Sequence, residues 1–170
     1  MATSYTRTQK ILHWLLAVMI LLWLFLSGEL VEEAEGAEER LILMFHSGGA
    51  IIILALMLWR LRLRFKNEVQ PMAELKPWEQ TWSVRLHWLF YGLVCLMVLS
   101  GILQGVFYEQ DVLVFGFIDI TVGHNEAAME PFHEIHEITA TLLKIGIALH
   151  ILAALKHQFL DRQKFIQRMF

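Results

Sequence analysis

The stretch HEIHEITATLLKIGIALHILAALKHQF, residues 133–159, decides the fold. It is apolar along most of its length, yet it carries Glu134, His136, Glu137, Lys144, His150 and Lys156. By hydropathy alone it is a doubtful membrane span, because every ionisable group at bilayer depth is costly. Three other runs, 11–28, 41–60 and 84–107, are long and apolar enough to cross without question. Charge settles the fourth. Arg7 and Lys10 precede the first run, Arg60, Arg62, Arg64, Lys66, Lys76 and Arg85 fill the connection between the second and third, and Lys156, Arg162, Lys164 and Arg168 follow the fourth. The connection between the first two runs instead holds Glu29, Glu32, Glu33, Glu35, Glu38 and Glu39, and the one before residue 133 holds Glu109, Asp111, Asp119, Glu126, Glu130 and Glu134. Basic connections stay in the cytoplasm. Both termini therefore belong inside, the number of spans is even, and residues 133–159 must cross.

Composition agrees. Of 170 residues, 56% are hydrophobic and 18% charged, where a soluble domain carries about a quarter charged residues. The mean hydropathy is +0.50. Four spans use about half the chain and leave no room for a soluble domain, so residues 1–170 read as one integral membrane domain of all-α class, a four-helix bundle. The first run has basic residues before it, as a secretory signal does, but no small-residue cleavage site follows, so it reads as a retained helix. A formal charge of -3 gives no reason to expect nucleic acid. The single cysteine, Cys95, excludes an intrachain disulfide, an iron–sulfur cluster and a C-x-x-C-H haem attachment.

Eight histidines are the remaining oddity. In this orientation His13 and His87 open the first and third spans near the inner face, and His46 opens the second near the outer face. The fourth span, running inward, meets His136, then His150, then His157. His136 and His150 are 14 residues apart, which puts them on one helix face about 40° apart and roughly 21 Å apart along the axis. One metal ion cannot use both. Two stacked haems can, each iron taking two axial histidines. His136 then needs a partner at outer depth, where His46 is the intramembrane histidine; His150 needs one at inner depth, where His13 and His87 compete. Bis-histidine ligation suits electron transfer, because it leaves no open position for oxygen chemistry. Gly48, Gly49, Gly92, Gly101 and Gly146 let a backbone approach either a macrocycle or a neighbouring helix. Lys144, between the two histidine levels, has no partner of opposite charge at its depth and is a candidate for a haem propionate, the alternative being that it snorkels toward an interface.

Two further patterns stand out. Leu12-His13-Trp14-Leu15 through Leu26-Ser27-Gly28 is echoed by Leu86-His87-Trp88-Leu89 through Leu99-Ser100-Gly101. In the third connection, Val112 to Ile118 is apolar enough to lie along the membrane surface. His124 and His133, in the same outward connection, receive no role.

These residues resemble the bacterial cytochrome b561 family of dihaem inner-membrane proteins over essentially the whole length. The likeness rests on Tyr5-Thr6-Arg7-Thr8-Gln9 with Ile11-Leu12-His13-Trp14, on Phe45-His46-Ser47-Gly48-Gly49, on Arg60-Leu61-Arg62-Leu63-Arg64, on His87, and on His136-Glu137 and Thr139 with His150 and His157. The 14-residue spacing is also that of dihaem cytochrome b subunits of hydrogenases and formate dehydrogenases. The resemblance implies two noncovalent b-type haems, an inner one held by His13 and His150 and an outer one by His46 and His136. It implies electron movement from the outer face to the quinone pool, with superoxide oxidised to oxygen and ubiquinone reduced. Reducing a quinone also takes two protons, and His87 and His157 are the candidates to deliver them, with hydrogen-bonding support of the neighbouring site as the alternative.

Superoxide is an anion, yet the outward connections carry the twelve acidic residues named above against one basic residue, Arg40. Arg40, close to His46, is the candidate for superoxide guidance, with a loop salt bridge to a neighbouring glutamate as the alternative. The acidic face also suits the docking of a basic periplasmic electron-transfer protein, which would make the chain a relay subunit rather than a self-contained oxidase.

Overall fold

The computed structural model describes residues 4–170. Helix α1 (Arg7–Leu22) starts where Thr6 Oγ1 accepts from Gln9 N at 3.3 Å and the Gln9 side chain returns to Thr6 N at 3.0 Å, a reciprocal cap. It runs through five π-helical residues, Trp23–Ser27, into α2 (Gly28–Glu33), giving one continuous span. Gly36, at φ +62, then begins α3 (Gly36–Lys66). Helix α4 (Pro77–Val106) has proline at its first turn, where the missing N–H costs nothing. A two-stranded antiparallel hairpin follows, β1 (Leu113–Val114) on β2 (Ile118–Asp119). Helix α5 (Glu126–Leu155) is capped by Asn125, whose Oδ1 accepts from Ala128 N, and continues through a second π-helical segment, Lys156–Leu160.

Four helices are long and apolar enough to cross a membrane. α4 and α5 begin before the apolar runs at 84 and 133, since local caps rather than hydropathy set a helix start. At 31 residues α3 is about 46 Å long, well beyond a hydrocarbon core of about 30 Å, so its ends stand clear of the lipid.

α1 packs on α3 and α5 packs along α4, and the two pairs are joined through α3 and α4. The shared core includes Leu16, Leu24, Ile53, Met57, Tyr91, Val94 and Leu143. Lipid tails are as apolar as these side chains, so close packing rather than water exclusion holds the pairs together. Large apolar side chains such as Leu22, Phe25, Ile52, Leu99 and Ile138 remain exposed on the outside, as a lipid-facing surface requires. Gln9, buried near the start of α1, ties it to α3: its Nε2 donates to the carbonyls of Leu63 and Asn67, and Arg60 donates to the Gln9 carbonyl at 2.8 Å. The cap that starts α1 thus also sets the height of His13, one turn further along.

Candidate functional site

The histidines of the first two spans face those of the fourth at two levels. At one level, called outer after the side the charge pattern predicts for it, the rings of His46 and His136 have centroids 6.3 Å apart at 58°. At the inner level His13 and His150 also stand 6.3 Å apart, at 69°. His87 lies against His150 as well, at 5.7 Å and 82°, so three imidazoles gather there.

The outer pair is held by hydrogen bonds that reveal its tautomers. His136 Nδ1 lies 3.0 Å from the Met97 carbonyl, which can only accept, so Nδ1 carries the proton. Ser100 Oγ donates to the same carbonyl and offers its lone pair to His136 Nδ1 at 3.1 Å. His46 is held in a matching way: Ser27 Oγ donates to the Trp23 carbonyl at 2.9 Å and accepts from His46 Nδ1 at 3.0 Å. In both rings the lone pair is left on Nε2. Fixing the far nitrogen in this way is how proteins orient a metal-binding imidazole. The π-helical turn Trp23–Ser27 is what brings Ser27 to this position, and Trp23 Nε1 adds a bond to the His46 carbonyl at 3.0 Å.

Ser27 and Ser100 belong to the two echoed Leu-Ser-Gly triplets. The repeat was visible in the sequence; its purpose was not, because each serine acts on a histidine of a different span. At the inner level, His13 and His150 have no side-chain hydrogen bond among the described residues, while His87 Nδ1 donates to the Ser83 carbonyl.

These pairs suit haem. An imidazole nitrogen lies about 1.1 Å from its ring centre and about 2 Å from a bound metal ion, and half of the 6.3 Å separation is that reach in both pairs. The free Nε2 lone pairs of His46 and His136 are the donors that a six-coordinate haem iron takes. Four of the glycines clear side chains: a Cβ at Gly101 would meet the His136 ring, at Gly146 Phe90, at Gly48 Phe115 and at Gly49 Trp23, whereas a Cβ at Gly92 would meet nothing within 4 Å.

The other candidate residues are spread around these two levels. The Lys144 ammonium lies 5.5 Å over the Phe25 ring, reaching from the fourth span to the first between the histidine levels. His157, buried in the second π-helical turn, donates from Nδ1 to Asp161 at 2.7 Å and stacks on Phe165. Lys156 bridges Asp161 at 2.8 Å and Glu79 of α4 at 3.1 Å. The Lys156 ammonium, with the His157 ring, holds the Asp161 carboxyl below its usual range. His87 and His157 thus belong to separate clusters, one with His150 and one with Asp161. Arg40 is exposed on α3 and makes no ion pair among the described residues. It is six residues before His46, about 9 Å along the axis and roughly 120° around. Its neighbour Glu39 accepts from the Tyr108 hydroxyl at 2.8 Å, and burial, with this bond, raises the Tyr108 pKa. His124 donates to the Tyr108 carbonyl and His133 lies 3.6 Å from Glu137, both at the exposed outer end.

Residues 4–170 match the sequence profile of the family described as prokaryotic cytochrome b561. Among curated proteins, the chain is similar to a probable superoxide oxidase, CybB, of Yersinia pestis. The two are 26% identical over 177 residues, covering 99% of this chain and 97% of that protein.

Proposed function

The chain belongs to the prokaryotic cytochrome b561 family of membrane electron-transfer proteins, and on that basis we propose that it moves electrons from superoxide at the periplasmic face of the bacterial inner membrane to ubiquinone. The observation that carries this reading is the pair of facing imidazoles at each of two depths, both 6.3 Å apart. Held between them, two b-type haems would supply reversible one-electron chemistry across most of the bilayer. His46 and His136 would hold the outer haem, and His13 and His150 the inner one. Lys144, between the two levels, would be the cation that meets a propionate.

The remaining residues handle charge and protons. Arg40 is the positive group of the outward face and draws an anion towards the outer pair. His87 and His157 deliver the two protons that quinone reduction consumes on the cytoplasmic side. Asp161 fixes the His157 proton on Nδ1, leaving Nε2 to exchange one.

Because Ser100 supplies one of the two partners of His136 Nδ1, Ser100→Ala weakens outer-haem retention by about 10-fold to 100-fold, the usual effect of losing such a support. Titrating haem into the apoprotein measures it; unchanged outer-haem affinity overturns the role given to Ser100.

The test of function is stopped-flow mixing of oxidised, haem-replete protein with superoxide. Haem reduction near the diffusional ceiling of about 10⁸–10⁹ M⁻¹s⁻¹ supports the oxidase. Slow reduction overturns it and favours the second reading, a relay subunit docking a basic periplasmic protein. That reading rests on the acidic outward connections, in which Glu29, Glu38, Asp111 and Glu130 are exposed.

A further inference from the structure

The third connection does not hang free of the bundle. The β1–β2 hairpin rests on α3: a Cβ at Gly48 would lie 2.8 Å from Phe115 Cδ1, and one at Gly116 would lie 2.8 Å from Met44 Sδ. Its base rests on α4, where Gly105 faces Val112 and Ile120.

The part of α3 that it covers fixes its depth. Leu41, Met44, Phe45, Gly48 and Ile52 share one face of the helix, within an arc of about 100°. Leu41, Phe45 and Ile52 are 53%, 64% and 45% exposed, so this face meets lipid wherever the hairpin does not cover it. His46 points roughly 160° away, into the bundle. Gly48 is seven residues inside Leu41, where the apolar run begins, which is about 10 Å along the axis. The hairpin tip therefore lies at the level of the outer imidazole pair, on the opposite side of α3 from it.

The tip is built for that environment. Phe117 is 77% exposed, stacks on Phe115 and is followed by exposed Ile118. Two tip donors are satisfied within the hairpin: Gly116 N bonds the Leu113 carbonyl and Phe117 N the Val114 carbonyl. Phe115 and Gly116 both take positive φ, 56° and 79°, which closes the turn tightly enough for those bonds. Non-helical backbone is costly in lipid unless its polar groups are paired in this way. Asp111 and Asp119, both exposed, flank the apolar segment, and two residues of strand carry the chain about 7 Å from Asp119 to Phe117. That is the depth at which apolar side chains anchor at the headgroup–acyl boundary.

We propose that this hairpin is a lipid-inserted wedge: Phe115, Phe117 and Ile118 sit among phospholipid acyl chains, continuous with the lipid-facing surface of α3, and fix how deep the outer imidazole pair lies. The assignment does not depend on which electron donor or acceptor the protein uses.

Site-directed spin labelling tests it. On a Cys95→Ala background, Phe117→Cys, Asp111→Cys and Ile52→Cys are each labelled and the haem-loaded protein is reconstituted in phosphatidylcholine–phosphatidylglycerol vesicles. The expected result is that the label at 117 matches the one at 52, several-fold more accessible to dissolved oxygen than to a water-soluble nickel chelate, with the reverse at 111. A label at 117 that the chelate reaches as readily as at 111 overturns the proposal. So does an immobilised label that neither reagent reaches, which would place the tip against a second copy or another protein. Ile118→Cys, read in the same way, keeps the test decisive if a cysteine at the tip perturbs the turn.

Discussion

His13→Ala and His150→Ala each leave the purified protein with one haem in place of two, while His87→Ala keeps both. The sequence places His13 and His87 at the same depth, and the structure sets both rings against His150. Two observations favour His13. Its 6.3 Å separation from His150 repeats that of the outer pair, while His87 is closer, at 5.7 Å. His87 is also held back by its bond to Ser83 one turn earlier, so its ring cannot swing across to replace a missing His13. Pyridine haemochrome analysis of each variant, set against protein concentration, gives the ratio directly. A His87→Ala protein that loses a haem while His13→Ala retains two reverses the assignment, and with it the role of His87 as a proton donor. With the inner haem gone, the outer one still accepts an electron in a single-turnover experiment, but quinone reduction falls to background.

The four spans were legible because two independent signals, hydropathy and the sidedness of Lys and Arg, had to agree; residues 133–159 satisfied the second where they strained the first. The depth of each histidine followed from span direction alone. What stayed hidden depends on contacts between spans. No periodicity reveals the π-helical turn at Trp23–Ser27, because one extra residue in a turn leaves the apolar pattern almost unchanged, yet that turn brings Ser27 to His46. The glycines were equally ambiguous, since clearing a cofactor and clearing a side chain need the same missing Cβ; Trp23, Phe90, Phe115 and His136 occupy those places. The apolar stretch from Val112 to Ile118 could be read as interfacial, and Gly116 marks its turn. Phe115 at positive φ could not be foreseen, because it is set by packing on Gly48.

Gly49→Ala removes the outer haem and spares the inner one. A Cβ at this position would lie 1.9 Å from Trp23 Cζ2 and 2.7 Å from Cε2, so the rigid indole must move rather than flex. Overpacking of this kind costs about 1–3 kcal/mol or more. The damage does not stop at stability, because Trp23 is tied to the site twice: its Nε1 donates to the His46 carbonyl, and its own carbonyl accepts from Ser27, the residue that orients the His46 ring. Displacing Trp23 thus shifts the backbone of His46 and withdraws its Nδ1 partner in one step. The inner pair lies toward the other end of α3, where the Gln9 and Arg60 bonds join it to α1, and is untouched. Gly92→Ala is the control, because a Cβ there meets nothing within 4 Å; it gains about 0.5–1 kcal/mol of helix stability and keeps both haems. Haem-to-protein ratio and thermal unfolding of the two variants distinguish the cases. A Gly49→Ala protein with two haems and an unaltered Tm would falsify the claim that Trp23 and Ser27 position the outer ligand.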